Sequence, residues 1–125
     1  MKQLLKIAKE RLKQDEKKRV AIMCQNYKQV FYIDEIRYLE SNAHRTIIHT
    51  LGNEYVCYEK ISEFEKEMGD SFVCCHQSFL VNMKYIRRIG NKSFMLENGE
   101  EVLISKRRYV ETKNRYSGYL DEVMM

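Results

Sequence analysis

From Arg19 onward the pattern of apolar and polar residues changes from a helical to a strand-like period. The clearest hairpin signal is the pair of runs at residues 93–96 and 101–105, which flank Asn98-Gly99. That dipeptide favours a tight hairpin turn. Similar short runs, separated by close turns near residues 25–26 and 52–53, begin at Arg19. This pattern predicts a mainly β domain of antiparallel strands.

Three segments have a helical period instead. Residues 1–18 are rich in Lys, Arg, Glu and Gln, with a narrow apolar stripe that includes Leu4 and Leu12. They predict a charged linker helix that packs on the domain, pairs with a second copy or stays exposed. Apolar residues within 61–68 predict a short helix closed by Gly-Asp, and residues 106–120 predict a C-terminal helix. We therefore expect a helical extension over 1–18 and one domain over 19–125.

Three finer expectations concern single positions. Strict alternation would place Ile36, Tyr38 and Glu40 on one face of a strand. Residues 41–43 read as a loop. His49 lies in the middle of a predicted strand and is expected to be a surface or edge histidine.

Composition limits the class of protein. The 125 residues are 44% hydrophobic and 32% charged, which fits one soluble domain. No apolar run approaches the ~18 residues of a membrane span, so we expect no membrane insertion. The N-terminus lacks an apolar signal region, which favours a cytoplasmic location. The net charge of +4 permits a polyanionic partner without requiring one.

The four cysteines are Cys24, Cys57, Cys74 and Cys75, and we expect them to be reduced thiols. The Cys74-Cys75-His76 sequence invites a zinc site. Neighbouring strand residues point to opposite faces, however, and the chain contains no C-x-x-C pair. We expect no metal site. One cysteine of the doublet should face the core and the other an edge, which leaves a redox-sensitive thiol possible.

Catalytic motifs are missing from the sequence. It contains no G-x-S-x-G, no phosphate-binding P-loop and no H-E-x-x-H. A cysteine and a histidine adjacent in sequence do not form a nucleophile–base pair, which is usually built from distant segments. The sequence therefore predicts a protein without enzymatic activity and without a cofactor.

Side chains suited to DNA recognition occur in three predicted loop regions. Cations can hold phosphates, whereas guanidinium and amide groups can form paired hydrogen bonds with base edges. Basic residues at the start of the C-terminal helix oppose the helix dipole, which suggests a nearby anion. The candidate DNA-binding residues are Asn42, His44 and Arg45, then His76 and Gln77, then Lys106, Arg107 and Arg108.

A family pattern runs through the same residues. From Phe72 the chain reads F-x-x-x-H-x-S-F-L-V-N, followed by an isoleucine-rich link, N-G and I-S-x-R. Upstream, I-D-E-I-R-Y-L-E at residues 33–40 is similar to a D-x-I-x-Y-x-E element. Over roughly residues 19–115 the chain closely resembles the LytTR DNA-binding domain of bacterial response regulators. The resemblance implies an elongated antiparallel β-sheet sandwich whose loops enter successive major grooves of DNA.

The resemblance also implies roles and partners. Arg45, Gln77 and Arg107 would read base edges with support from His44 and His76, while Lys106 and Arg108 would hold phosphates. Two copies would occupy direct-repeat promoter sites on double-stranded DNA. In this family a receiver domain in a sensor-kinase pathway often controls the DNA-binding domain. The sequence leaves open whether this chain is such an output domain or a stand-alone regulator.

Alternatives remain for one residue and for the function. His76 could instead hold its loop through a hydrogen bond to the main chain. Nine tyrosines and five phenylalanines could form a stacking platform for single-stranded nucleic acid. The N-terminal helix or an exposed strand edge could instead make the domain a protein-interaction or dimerisation module.

Overall fold

The computed structural model describes residues 18–124, so the linker helix predicted for residues 1–18 lies almost entirely outside the described residues. The described part contains ten strands and two α-helices. The strands are β1 (Arg19–Cys24), β2 (Tyr27–Tyr32), β3 (Ile36–Asn42), β4 (Arg45–Thr50), β5 (Glu54–Cys57), β6 (Phe72–His76), β7 (Phe79–Asn82), β8 (Ile86–Ile89), β9 (Ser93–Leu96) and β10 (Glu101–Leu103). The helices are α1 (Ile61–Met68) and α2 (Tyr109–Val123).

The strands form three antiparallel sheets. A central sheet has the order β5-β4-β3-β7-β6, a smaller one has the order β10-β9-β8, and β1 pairs with β2 as a ribbon. The mainly β architecture of small antiparallel sheets is confirmed, as are the short helix and the C-terminal helix.

One face of the central sheet is covered by α1 and the β1–β2 ribbon. Side chains from all these elements meet in a single apolar cluster, the first core, in which Phe64 of α1 and Leu39 of β3 are completely buried. The first core consists of Ile22, Cys24, Phe31, Ile33, Ile36, Leu39, Ile48, Cys57, Ile61, Phe64, Met68, Phe72 and Leu80. The short helix thus packs its apolar side on the first core, as the spacing of its apolar residues predicted.

The opposite face carries the small sheet and α2. Leu80 and Val81 are neighbours in β7, yet Leu80 belongs to the first core and Val81 to this second core. The central sheet is therefore the middle layer of the domain. The second core consists of Tyr38, Val73, Cys75, Val81, Met83, Ile86, Phe94, Leu96, Val102, Ile104 and Tyr116.

The hairpin turns lie where the sequence predicted them. Gln25 has a φ of 53° in the β1–β2 turn, and Gly99 has a φ of 91° in the β9–β10 turn. Gly99 suits this left-handed conformation because it has no Cβ. The predicted loop at residues 41–43 is shorter than expected, since β3 continues through Asn42 and only Ala43 and His44 form the turn.

Strict alternation fails at the start of β3. Pairing with β4 shifts register between Ile36 and Tyr38, which is the signature of a β-bulge at Arg37. Ile36 consequently joins Leu39 in the first core, while Tyr38 points into the second. The prediction that Ile36 and Tyr38 share a face is wrong for this reason.

Arg37 and Tyr38 connect two layers. The Arg37 guanidinium and the Tyr38 hydroxyl both donate hydrogen bonds to the Glu100 carboxylate, in the turn between β9 and β10. The Arg37 Nε also donates to the Thr50 carbonyl at 2.9 Å. These bonds tie the central sheet to the small sheet, and so help to fix the segment that follows β10.

Candidate nucleic-acid interface

Two main-chain hydrogen bonds bring the three predicted loop regions together. The Ser41 amide donates to the Ser78 carbonyl at 2.8 Å, which joins the end of β3 to the β6–β7 turn. The Ser105 amide donates to the Cys75 carbonyl at 2.8 Å, which joins the segment after β10 to the end of β6. The three segments are therefore neighbours in the fold.

A groove of about 670 Å³ opens at this junction. Four of the candidate residues line it: His44, Arg45, Gln77 and Arg108. The first three are exposed and Arg108 is half-buried. The groove thus combines guanidinium, amide and imidazole groups from three separate loops.

The other candidates lie beside the groove lining. Asn42 is the last residue of β3, whereas Lys106 and Arg107 lie in a 3-10 turn (Lys106–Arg108) just before α2. All three are exposed. The Ser105 Oγ accepts a hydrogen bond from the Arg108 amide at 3.2 Å and so fixes the start of this basic turn.

His76 has a structural contact. Its Nδ1 accepts a hydrogen bond from the Ser78 amide at 3.0 Å, and its ring packs 5.4 Å from the Phe79 ring. The alternative role considered for this residue, holding the loop, is thus present in the structure. The same bond leaves Nε2 to carry the proton of the neutral ring. Gln77 is presented outward at the tip of the turn that His76 holds.

Arg108 is positioned by the neighbouring strand. Its Nη1 lies 2.8 Å from the Cys74 Sγ and 3.4 Å from the Cys74 carbonyl oxygen. A guanidinium carries five N–H donors, so these contacts leave others free to meet an anion in the groove. The contacts hold the guanidinium in a defined place before any ligand arrives.

The cysteine doublet divides between faces as predicted. Cys75 is fully buried in the second core, and Cys74 is half-buried at the groove. Burial raises the pKa of the Cys74 thiol despite the nearby Arg108, and raises the pKa of Cys75 to about 12. A protonated thiol reacts poorly with oxidants, so this environment does not favour redox sensing. Among residues 18–124, no group of three His, Cys, Asp or Glu side chains is placed to hold a metal ion.

Sequence reasoning missed a further part of the groove lining. Tyr58, Lys60 and Ser62, between the end of β5 and the first turn of α1, line the groove as well. The Thr46 Oγ1 donates to the Glu59 carbonyl at 2.6 Å and fixes this segment next to β4. The only signal in the sequence was a tyrosine and a lysine at a strand-to-helix junction, which carries little information by itself.

Two acidic residues, Glu59 and Glu65, also contribute to the groove lining. Burial raises the pKa of Glu59, and repulsion from Glu67 and Glu63 raises it further. The exposed side of α1 is therefore a negative surface beside the basic loops.

His49 is not the surface histidine that its position suggested. It is only 5% exposed, and its ring stacks on Tyr38 at a centroid distance of 4.1 Å. Its Nε2 lies 2.9 Å from the Glu40 carboxylate and its Nδ1 lies 3.4 Å from that of Glu54. The surface prediction is wrong because cross-strand pairing places Tyr38 directly opposite His49.

These observations are those expected of a nucleic-acid-binding domain. A layered β domain presents cationic and amide side chains on loops around one groove, which is how proteins meet the phosphates and base edges of nucleic acid. Neither helix of the described residues is long and apolar enough to cross a membrane.

Comparison with known families identifies the family to which this chain belongs. Residues 25–117 match the model of the LytTr DNA-binding domain, so the chain belongs to the LytTR family of DNA-binding domains. A similar solved structure is the LytTr DNA-binding domain of a response regulator from Bacillus cereus, with a TM-score of 0.68 and 24% sequence identity. The match covers 78% of this chain and 94% of that chain. Comparison with curated proteins gave no match.

Proposed function

We propose that this domain binds double-stranded DNA in a sequence-specific manner, as part of a bacterial transcriptional regulator that acts in the cytoplasm. The main observation in support is the groove at which Arg45, Gln77 and Arg108 meet from three loops. Family membership supports DNA binding and a regulatory role. The proposal adds the preference for a duplex and the assignment of individual contacts.

Base reading falls to the exposed side chains with paired donors or acceptors. Arg45 and Arg107 can donate two hydrogen bonds to a guanine, and Gln77 can both donate to and accept from an adenine. His44 supports these contacts from the β3–β4 turn, and Asn42 adds an amide beside it. His76 acts by holding the turn that presents Gln77.

Phosphate binding falls to the basic turn before α2. Lys106 is exposed, while Arg108 is held against Cys74 and oriented in advance. Such contacts supply affinity for any sequence and depend strongly on salt. We further propose that two copies occupy direct-repeat half-sites, under control of a receiver domain or sensor-kinase pathway outside this chain.

Of the nine tyrosines and five phenylalanines, all of which lie among the described residues, only Tyr27 and Tyr58 are exposed, which weighs against an extended single-strand stacking platform. Tyr38, Tyr85 and Tyr116 are buried, as are Phe64 and Phe94. Rings inside the cores cannot stack on bases. A duplex ligand therefore fits the described surface better than a single strand does.

Selection from a random duplex-DNA pool at two salt concentrations tests the proposal. We expect an enriched motif repeated about one helical turn apart, with affinity that falls steeply as salt rises. Preference for single strands over duplex would favour the aromatic platform. Failure to enrich any sequence would favour a protein-interaction module.

Substitution of the proposed base readers tests the residue assignment. Arg45→Ala or Arg107→Ala should cost about 1–3 kcal/mol on the selected site and relax the preference at one base position. Arg87→Ala is the matched control, because Arg87 is an exposed arginine on β8 and belongs to none of the three loop regions. If both loop variants bound the selected site as tightly as the control variant, the assignment would be wrong even though duplex binding stood.

A further inference from the structure

The groove has a wall that contains none of the residues singled out from the sequence. We call it the second wall; it consists of Tyr58, Lys60 and Ser62. Tyr58 is 62% exposed. Lys60 and Ser62 are exposed as well. The second wall therefore offers two hydroxyl groups and an ammonium group to whatever occupies the groove.

The second wall is held at a fixed distance from the base-reading loops. Thr46, which is 2% exposed, donates from Oγ1 to the Glu59 carbonyl at 2.6 Å. Thr46 directly follows Arg45, and Glu59 directly precedes Lys60. This bond therefore links the residue after Arg45, a proposed base reader, to the main chain just before Lys60 in the second wall. A ligand contacted by Arg45 lies within reach of the segment that carries Lys60.

Lys60 is a poor choice for the fold itself. It occupies the N-cap position of α1 and makes no side-chain capping hydrogen bond. Ser, Thr, Asp or Asn at this position would accept a bond from the first turn, whereas a lysine has no acceptor. Its positive charge also lies near the positive end of the helix dipole. Lys60 therefore does not stabilise the start of α1, and its position in the groove lining suggests a role in binding.

The acidic side of α1 limits where a polyanion can lie. Glu65 is exposed and lines the groove, and Glu63 and Glu67 add charge to the same helix. A DNA strand over the exposed side of α1 would be repelled. Glu59, between Tyr58 and Lys60, also lines the groove, but it is half-buried whereas Lys60 is exposed. Lys60 is therefore the group of the second wall that can attract a phosphate.

We infer that Tyr58 and Lys60 contact the sugar-phosphate chain of the bound duplex, beside the bases read by the neighbouring loops. This inference rests on the proposed function. Lysine serves as a point charge for a phosphate, and a tyrosine hydroxyl can donate to a phosphate oxygen while its ring covers the sugar. These contacts set the orientation of the duplex in the groove and carry no sequence preference.

The test measures duplex affinity against salt for the wild type, Lys60→Gln and Lys66→Gln. Lys66 is an exposed lysine in the last turn of the same helix and does not line the groove, so it controls for the loss of one charge. Loss of one phosphate contact should lower the salt slope by about one unit for Lys60→Gln. Between about 50 and 200 mM salt, the affinity ratio of wild type to Lys60→Gln should then shrink by about threefold to fourfold. The loss should be equal for selected and scrambled duplexes.

Tyr58→Phe separates the hydroxyl contact from the ring. We expect weaker binding with an unchanged salt slope, because the lost donor carries no charge. Ethylation of individual phosphates should also reveal a position that weakens the wild type but leaves Lys60→Gln unaffected.

The possible results distinguish a failure of this inference from a failure of the proposed function on which it rests. If the wild type binds duplex while its salt slope equals those of Lys60→Gln and Lys66→Gln, Lys60 does not contact a phosphate. If Tyr58→Phe binds like the wild type, the tyrosine contact is refuted. If the wild type binds no duplex at all, the proposed function fails and this inference fails with it.

Discussion

The Glu100 carboxylate is the most informative single group for the stability of the fold. It receives hydrogen bonds from the Arg37 guanidinium, the Asn98 amide and the Tyr38 hydroxyl, the last at 2.8 Å. Burial acts to raise the pKa of Glu100, but these bonds outweigh it and lower the pKa from 4.5 to about 2. The ionised form is therefore the one that holds the central and small sheets together.

The sign of the pH dependence follows from this lowered pKa. Stability from Glu100 is fully present above its unfolded pKa and is lost as pH falls from about 4.5 towards about 2. Each pKa unit corresponds to about 1.4 kcal/mol, so the full shift would be worth about 3 kcal/mol. The side chain is 35% exposed, and solvent screening reduces this contribution to about 1–2 kcal/mol.

Urea unfolding of the wild type and Glu100→Gln at about pH 7 and pH 3 measures this contribution. At neutral pH we expect Glu100→Gln to unfold with a free energy about 1–2 kcal/mol lower, and the gap should narrow at acid pH. Glu101→Gln is the matched control, because the neighbouring Glu101 is exposed on β10. An equal loss of stability on acidification in the wild type and in Glu100→Gln would refute the reasoning.

Further predictions address the core, the buried histidine and the cysteines. Phe64→Ala should lower the free energy of unfolding by about 3–5 kcal/mol, because the ring is fully buried; a loss below about 1 kcal/mol in urea unfolding would contradict this. His49→Phe keeps a ring against Tyr38 but removes the bond to Glu40, so the same assay should show a loss of about 1 kcal/mol. In the native protein, iodoacetamide should alkylate Cys74 well before Cys75, as followed by peptide mass spectrometry. Equal rates for the two thiols would mean that Cys75 is not enclosed.

Local features of the fold were predictable from the sequence because their causes are local. Asn98-Gly99 forms its turn since Gly99 adopts a φ of 91°, which needs no distant partner. The apolar spacing within 61–68 forms α1 because one side of a helix must be buried. The three loop regions with the candidate DNA-binding residues were identified from the sequence, but the two main-chain hydrogen bonds that bring them together join distant segments.

Other features depend on contacts between distant segments. The bulge at Arg37 reverses the expected facing of Tyr38, and the Arg37 side chain bonds both to Thr50 and to Glu100, far along the chain. His49 is buried because β3 pairs with β4 in a register that stacks it on Tyr38. No pattern of alternating residues encodes such a register shift.

The net charge of the chain says little about how a polyanion would approach this domain. A total of +4 could describe an even surface, yet negative charge is concentrated on α1 and cationic side chains lie on the loops around the groove. Over distances of about 10 Å, the local field rather than the total charge acts on a ligand. If a duplex binds at this groove as we propose, Arg45 and Lys60 attract it and Glu65 repels it. The fold, and not the net charge, determines where these charges of both signs lie.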